Sequence, residues 1–303
     1  MKHNTSIQKL SNNVRPNIGK YLFLLPSVVI LLIFFIYPIV LTFIYSFTNL
    51  ALTGEAAKNF HFIGFDNYKR MLDDPAVAGS IVNTIIFLVG SSLIGQQILG
   101  FTIAILMKKK NGTFRRVIGT IVLAGWVMPE IVCAICMYNF FYDEGTLNTV
   151  LGLFGGLPVT WLFTFPMLCV IIANAWHGTA FSMLVYQSAL DGVPKDIEEA
   201  ATVDGASKLQ KLIYITLPCI KQSITTNMMI NTLQTLSVFG LIYSMTGGGP
   251  GTKTQTLPVI MYLSAFKNYQ LGYGTAISMI LLLIGIVLSI FYVKAMNTEH
   301  KGA

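Results

Sequence analysis

From Tyr21 to Phe47 the chain runs for 27 residues without one charged side chain. A hydrocarbon core about 30 Å thick needs about 20 apolar residues per helix. The stretch is therefore long enough to cross a bilayer. Runs of similar length, carrying at most one acid, recur at about 81–107, 117–141, 161–190, 223–245 and 272–293. Lipid cannot satisfy backbone N–H and C=O groups, so runs of this length must be helices that bond within themselves. An all-α integral membrane protein of six transmembrane helices is expected. The first run is too long for a cleavable apolar region and no small-residue cleavage site follows it, so it is read as a retained span, kinked or bounded by Pro26 and Pro38.

The net charge of +7 does not point to nucleic acid, because its distribution is topological. With the N-terminus in the cytoplasm, the inner side holds fifteen Lys and Arg, from a basic tail at 1–20 (Lys2, Lys9, Arg15, Lys20), the cluster Lys108, Lys109, Lys110, Arg115 and Arg116, the four lysines of the 191–222 loop, and Lys294 and Lys301 at the C-terminus, where a short tail covers 297–303. The outer side holds five: Lys58, Lys69, Arg70, Lys253 and Lys267. The excess of basic residues places both termini inside. Between the first two spans, 48–79 is polar and aromatic and suits a water interface. Cys133 and Cys136 form a CxxC inside an apolar run with no second pair to complete a zinc tetrad, so packing is the expected role and no metal site is read.

Asp191 to Pro218 (DGVPKDIEEAATVDGASKLQKLIYITLP) is the longest charged, helix-forming run in the second half. Pro194 suits a first helical position, and Asp196, Glu198 and Glu199 put negative charge where the helix dipole favours it. Gly205 accepts the left-handed conformation of a C-cap. A second helix starts at Ser207, with Leu209, Leu212 and Ile213 on one face, and Leu217-Pro218 is expected to close it. Two short helices at an angle, held between two spans, are predicted.

Glu199-Ala200-Ala201, three residues, Gly205, nine residues, Ile215, one residue and Leu217-Pro218 resembles the cytoplasmic loop signature of ABC importer permeases. The GFDNYKRML run with Asn83-Thr84 is similar to their sugar-importing branch. The resemblance implies a type I importer permease fold and a multi-pass bacterial cell membrane protein that is not itself an enzyme. Partners implied are a second permease, two cytoplasmic ATPase subunits that bind ATP and Mg, an extracytoplasmic sugar-binding protein and the lipid bilayer, with no nucleic acid. It assigns Glu199, Ala200, Ala201, Asp204, Gly205, Leu217 and Pro218 to ATPase coupling: Glu199 pairs with a basic residue of the ATPase groove, Gly205 sets the bend, and the alanines allow close approach.

Gly247 to Thr254 (GGGPGTKT) looks like a phosphate loop, but Thr252 stands where the second glycine is needed and the segment falls on the outer face. It resembles instead the TxGGP turn of one permease type of sugar importers, which implies the first member of a heterodimer. NAWHGTAF resembles the segment lining the family's sugar site, pointing to Asn174, Trp176, His177, Gly178 and Phe181; ungapped matching adds Asn231 and Thr235, with Gln234 adjacent. Interhelical hydrogen bonding is the alternative role for each. Glu130, the one acid inside a span, keeps open a proton-coupled secondary transporter using Glu130 and His177. A membrane scaffold without a transport path is a third class.

Overall fold

The computed structural model describes residues 23–108 and 110–300, excepting the side chains of 297–300. The tail at 1–20, the first residues of the opening span, Lys109 and residues 301–303 of the 297–303 tail lie outside the described residues. Among those described there is no β-strand, only one isolated bridge between Thr48 and Phe62.

Helix α1, Leu25–Tyr45, buries none of its apolar residues within the chain. Pro38 sits inside it rather than ending it. A π-helical turn over Leu32–Ile36 precedes this proline, and the Tyr37 N–H reaches back to Leu32 O. A widened turn accommodates a ring that cannot donate a hydrogen bond. A short helix α2, Asp66–Asp73, then folds back: buried Asn67 donates to Ser46 O at 2.9 Å and Thr48 O at 2.8 Å.

Helix α3 covers Pro75–Lys108, beginning earlier than 81 because Pro75 occupies the first turn and Asp74 caps it by accepting from Ala76 N–H. The expected single span 117–141 is two helices, α4 Gly112–Val127 and α5 Glu130–Phe141, and the chain bends by 101° between Gly112–Val127 and the segment Glu130–Leu153 that α5 opens. The cause is Pro129. It removes one N–H and pushes Met128 into extended backbone at φ −61°, ψ 133°. After α6, Thr146–Leu153, helix α7 runs Pro166–Asp191; its first expected turn, from Trp161, is a separate piece set off at Phe165.

Helix α8, Lys195–Val203, is the first of the two predicted loop helices. The second is not a separate short helix. From Lys208 it passes without a break through a π-helical turn at Leu212–Thr216 into Leu217–Leu236, so α9 is a continuous helix over 208–236. Pro218 therefore does not close it, since the widened turn before it again removes the clash with the preceding turn. The span expected at 223–245 stops at Leu236 and resumes as α10, Gly240–Thr246. Helix α11, Leu257–Lys267, is apolar but short, and α12 is Leu271–His300, longer at its C-terminal end than 272–293.

Among the described residues, α1, α3, α7 and α12 are long and apolar enough to cross a membrane, and the bent pair α4–α5 makes a possible fifth. The sixth expected span falls on α9, whose Asn227, Asn231, Thr232 and Thr235 are buried inside the bundle. A helix that turns amides inward is less apolar than one facing lipid on all sides.

The tightest seam joins α3 to α7. Gly90, Gly95 and Gly100 face Ile171, Ala175 and Ser182 so closely that an added Cβ would lie 2.6 Å from the Ala175 methyl and 2.5 Å from Ser182 Cβ. Small residues let two backbones approach, which in lipid replaces the hydrophobic driving force. Part of α3, Leu88–Gln96, is π-helical. Its i→i+5 bonding brings residues five apart, such as Ser91 and Gln96, onto one face. The main apolar core gathers Phe87, Cys133, Ala134, Cys169, Val170 and Leu241 from α3, α5, α7 and α10. Cys133 is buried there while Cys136 is exposed, and both are free thiols.

Candidate functional site

Two places carry the residues singled out from the sequence: the loop around α8, and the middle of the bundle where α4–α5 and α9–α10 break.

The α8 loop is built on Gly205, which lies at φ +78°. The Gly205 N–H donates to Thr202 O at 3.1 Å and the Ala206 N–H to Ala201 O at 3.0 Å. These are the paired bonds of a Schellman C-cap, which satisfy the helix's last carbonyls. Two residues on, Ser207 and Gln210 form a capping box: Gln210 N–H donates to Ser207 Oγ at 3.2 Å, and Ser207 N–H to Gln210 Oε1 at 2.8 Å. Lys211 Nζ then crosses the turn to Thr202 Oγ1 at 3.0 Å. The angle between α8 and α9 is thus held by backbone and side chain together.

Two ion pairs hold the base of this loop, the first on Glu198 of α8 and the second on Asp191 at the end of α7. Lys108, at the end of α3, bonds Glu198, and Arg115 Nη2 of α4 bonds Asp191 Oδ2 at 2.5 Å. Ala201 is buried against the rest of the chain, Leu217 is half-buried, and Glu199, Ala200, Asp204, Gly205 and Pro218 are exposed. The same loop holds large apolar side chains in the open: Val203 is 88% exposed, Tyr214 74% and Leu209 64%. Reversing one charge in the Lys108–Glu198 pair, by Lys108→Glu or Glu198→Lys, sets like charges together. Each single change is expected to lower the melting temperature of the purified protein by roughly 2–4 °C, and the double reversal to restore most of it, as read by differential scanning fluorimetry.

In the bundle's middle, the Met128–Pro129 break frees the Met128 carbonyl, which His177 Nε2 meets at 3.2 Å. That contact requires the proton on Nε2 and occupies the ring in structure. Beside the break, Trp126 lies against Phe181 with ring centroids 6.0 Å apart, and Trp176 covers Gly125, where a Cβ would lie 3.2 Å from its ring. Glu130 opens α5, and a Cβ on Gly240 would meet its Oε2 at 2.9 Å. The two helix breaks therefore touch. Gln234 and Ser237, at the end of α9, and Trp176 are exposed there.

Three of the expected lining residues are buried within the chain. Asn174, Asn231 and Thr235 are each at most 4% exposed. Asn174 Nδ2 donates to Ser91 Oγ at 2.8 Å, Gln96 Nε2 to Asn174 O at 3.0 Å, and Asn231 Nδ2 to Ser182 Oγ at 2.7 Å. Asn227 Nδ2 donates to Gln97 Oε1 at 2.9 Å, and Tyr186 OH donates to the same oxygen. These amides tie α3, α7 and α9 together. Gly178 packs on the Gln96 amide, where a Cβ would clash.

Sequence reasoning missed Trp126 and Ser237 at the break, and Lys108, Arg115, Asp191 and Glu198 as ties. Gln96 and Gln97 were visible as polar residues inside an apolar run, the one available signal for the buried network.

The bundle, the broken helix pair and the capped loop define a membrane permease subunit. Residues 96–294 match the family of binding-protein-dependent transport system inner membrane components, and the chain belongs to it. Among its relatives, the trehalose/maltose transport system permease protein of Thermococcus litoralis is 34% identical, with 90% of this chain and 92% of that protein covered. The sulfoquinovosyl glycerol transport system permease protein of Agrobacterium fabrum is 30% identical over 92% and 90%. A solved bacterial alginate ABC transporter, in complex with an alginate pentasaccharide-bound periplasmic protein, shares the fold with a TM-score of 0.78 at 21% identity, covering 94% of this chain and 96% of that one. Membership in an ABC permease family sets the proton-coupled alternative aside.

Proposed function

We propose that this chain is one half of the translocation pore of a carbohydrate importer, moving an oligosaccharide inward by alternating access. Six spans with both termini in the cytoplasm accommodate the inner excess of basic residues. The sixth is α9, whose polar face is covered by α3 and α7. A second, distinct permease completes the pore. Two ATPase subunits supply ATP and Mg chemistry, and an external sugar-binding protein delivers the substrate. The sugar class rests on the relatives, whose names are those of sugar and sugar-glycerol systems.

The observation that carries this reading is the outward face of α8. Val203, Leu209 and Tyr214 stand exposed on the same charge-rich loop as Glu199, and exposed large apolar groups on a polar surface mark a protein interface. The ATPase subunit occupies that face, with Glu199 meeting a basic residue of its groove. Because α9 is continuous from Lys208 to the helix break at Ser237, displacement of the loop carries directly to the middle of the bundle.

Substrate contact falls to groups at the breaks: the exposed Gln234 and Ser237 for hydroxyls, the exposed Trp126 and Trp176 and the half-buried Phe181 for ring faces, with half-buried Glu130 beside them. His177, Gly178, Asn174, Asn231 and Thr235 shape and brace that surface. The test is ATP hydrolysis by the complex reconstituted in lipid with its partner permease, ATPase and binding protein, across a panel of oligosaccharides. One sugar should stimulate hydrolysis, and Gln234→Ala should raise the KM of its uptake by roughly tenfold, the equivalent of one lost hydrogen bond to substrate. Assembly without stimulation by any sugar would discard the substrate class.

A further inference from the structure

At the outer end of α5 lies a second cavity of about 490 Å³ that neither the coupling loop nor the helix breaks use. Its volume falls within the range of small-molecule sites. One wall is Tyr138 and Tyr142, successive turns of α5, with ring centroids 5.6 Å apart and planes inclined by 33°. Both rings are exposed, at 37% and 46%. Asp143 and Thr160 border them, and the facing wall is Thr246 with the Gly249-Pro250 turn.

Each wall is held from behind. Asn148, buried, donates from Nδ2 to Asp143 O and Val159 O, both at 2.8 Å, while its Oδ1 accepts from Val159 N–H at 3.1 Å and Trp161 Nε1 at 2.9 Å. One side chain thus sets Asp143 and Thr160 in fixed relation. On the other side, Asn83 Nδ2 donates to Thr252 O at 2.9 Å and Gln255 O at 3.1 Å, and Thr254 Oγ1 to Gly249 O at 2.9 Å. The glycine-rich turn is a braced wall. Among the described residues the Asp143 carboxylate has no ion-pair or hydrogen-bond partner, so its four lone-pair positions are free to accept.

We propose that this cavity is an outer carbohydrate subsite, which receives the sugar rings of a chain that extend beyond those held at the helix breaks. Flat phenol faces stack on the C–H face of a pyranose, and a carboxylate beside them accepts from vicinal hydroxyls, charge-assisted and short. Tyr138 lies eight residues beyond Glu130 on the same helix, which at 1.5 Å per residue is about 12 Å along the axis. A disaccharide seated at the breaks stays short of it, whereas a tetrasaccharide reaches. The subsite makes this chain select for length. The inference rests on the carbohydrate-importer reading above.

The experiment uses the full complex in vesicles and uptake of glucose-, galactose- and mannose-based series from disaccharide to tetrasaccharide. With the series that wild type transports, Tyr138→Leu, Tyr142→Leu and Asp143→Asn should each raise KM for the tetrasaccharide about three- to tenfold, leaving disaccharide KM and basal ATPase unchanged. Tyr138→Phe and Tyr142→Phe, which keep the ring, should stay near wild type. Equal effects at every chain length, or a loss that tracks the affinity of the unloaded binding protein instead, would overturn the subsite and mark the cavity as a protein contact. Unchanged KM in all leucine variants would overturn it as well. If wild type transports none of the series, the carbohydrate reading fails first and the subsite with it.

Discussion

Gly205→Pro in the assembled complex is expected to abolish sugar-stimulated ATP hydrolysis, at least tenfold below wild type, while basal hydrolysis and membrane insertion persist. Gly205 holds φ at +78° and donates its N–H to Thr202 O. Proline is confined near φ −65° and has no N–H, so both features are lost at once, a local cost of about 3 kcal/mol or more. The α8 C-cap then opens, and with it the bonds from Ala206 to Ala201 and from Lys211 to Thr202 that set the loop angle. The bundle itself does not contain Gly205, which has open space around its Cβ position. Gly205→Asn, which tolerates the left-handed region, should retain most of the stimulation, and Gly205→Ala should fall between, at about 1–2 kcal/mol of strain. ATPase rates with and without sugar-loaded binding protein measure all three. Wild-type stimulation in the proline variant would sink the docking role of the loop.

The second large effect is on folding. Gly100→Leu should leave no correctly assembled permease in size-exclusion profiles of detergent extracts, because a Cβ at this position lies 2.5 Å from Ser182 Cβ and 2.9 Å from the Met183 backbone nitrogen. A flexible tip could swing aside; a helix backbone cannot. The α3–α7 seam would have to separate, and with it the amide contacts from Gln96 to Asn174 and from Tyr186 to Gln97. Overpacking typically costs about 1–3 kcal/mol and occasionally more, and backbone that cannot give way puts this site at the upper end. Gly79→Leu is the control. It lies on the same helix with nothing within 4 Å of its Cβ position, and a monodisperse peak is expected. Normal assembly of Gly100→Leu would mean the seam is looser than the contacts describe.

Much of the coupling loop was legible before any coordinates. Gly205 as a left-handed cap, Ser207 as a helix start and the acidic first turn of α8 are local rules, satisfied within a few residues of chain. The end of the second loop helix was misread for a similarly local reason: Pro218 is a helix breaker by itself, but the widened turn at Leu212–Thr216 absorbs it. Pro129 illustrates the converse, since a single span was expected where the chain bends by 101°.

Hydropathy and charge placement determined by themselves that this is a helical membrane protein and roughly where its apolar helices lie. Tertiary structure alone decided which face of each span turns inward. In water, an amphipathic stripe announces the buried face; in lipid both faces are apolar, so periodicity carries little of that information. Hence the sequence left open whether Asn174, Asn231 and Thr235 line a pore or bond between helices, and their bonds to neighbouring helices, like the tie between Lys108 and Glu198, 90 residues apart in sequence, were invisible until the helices were packed.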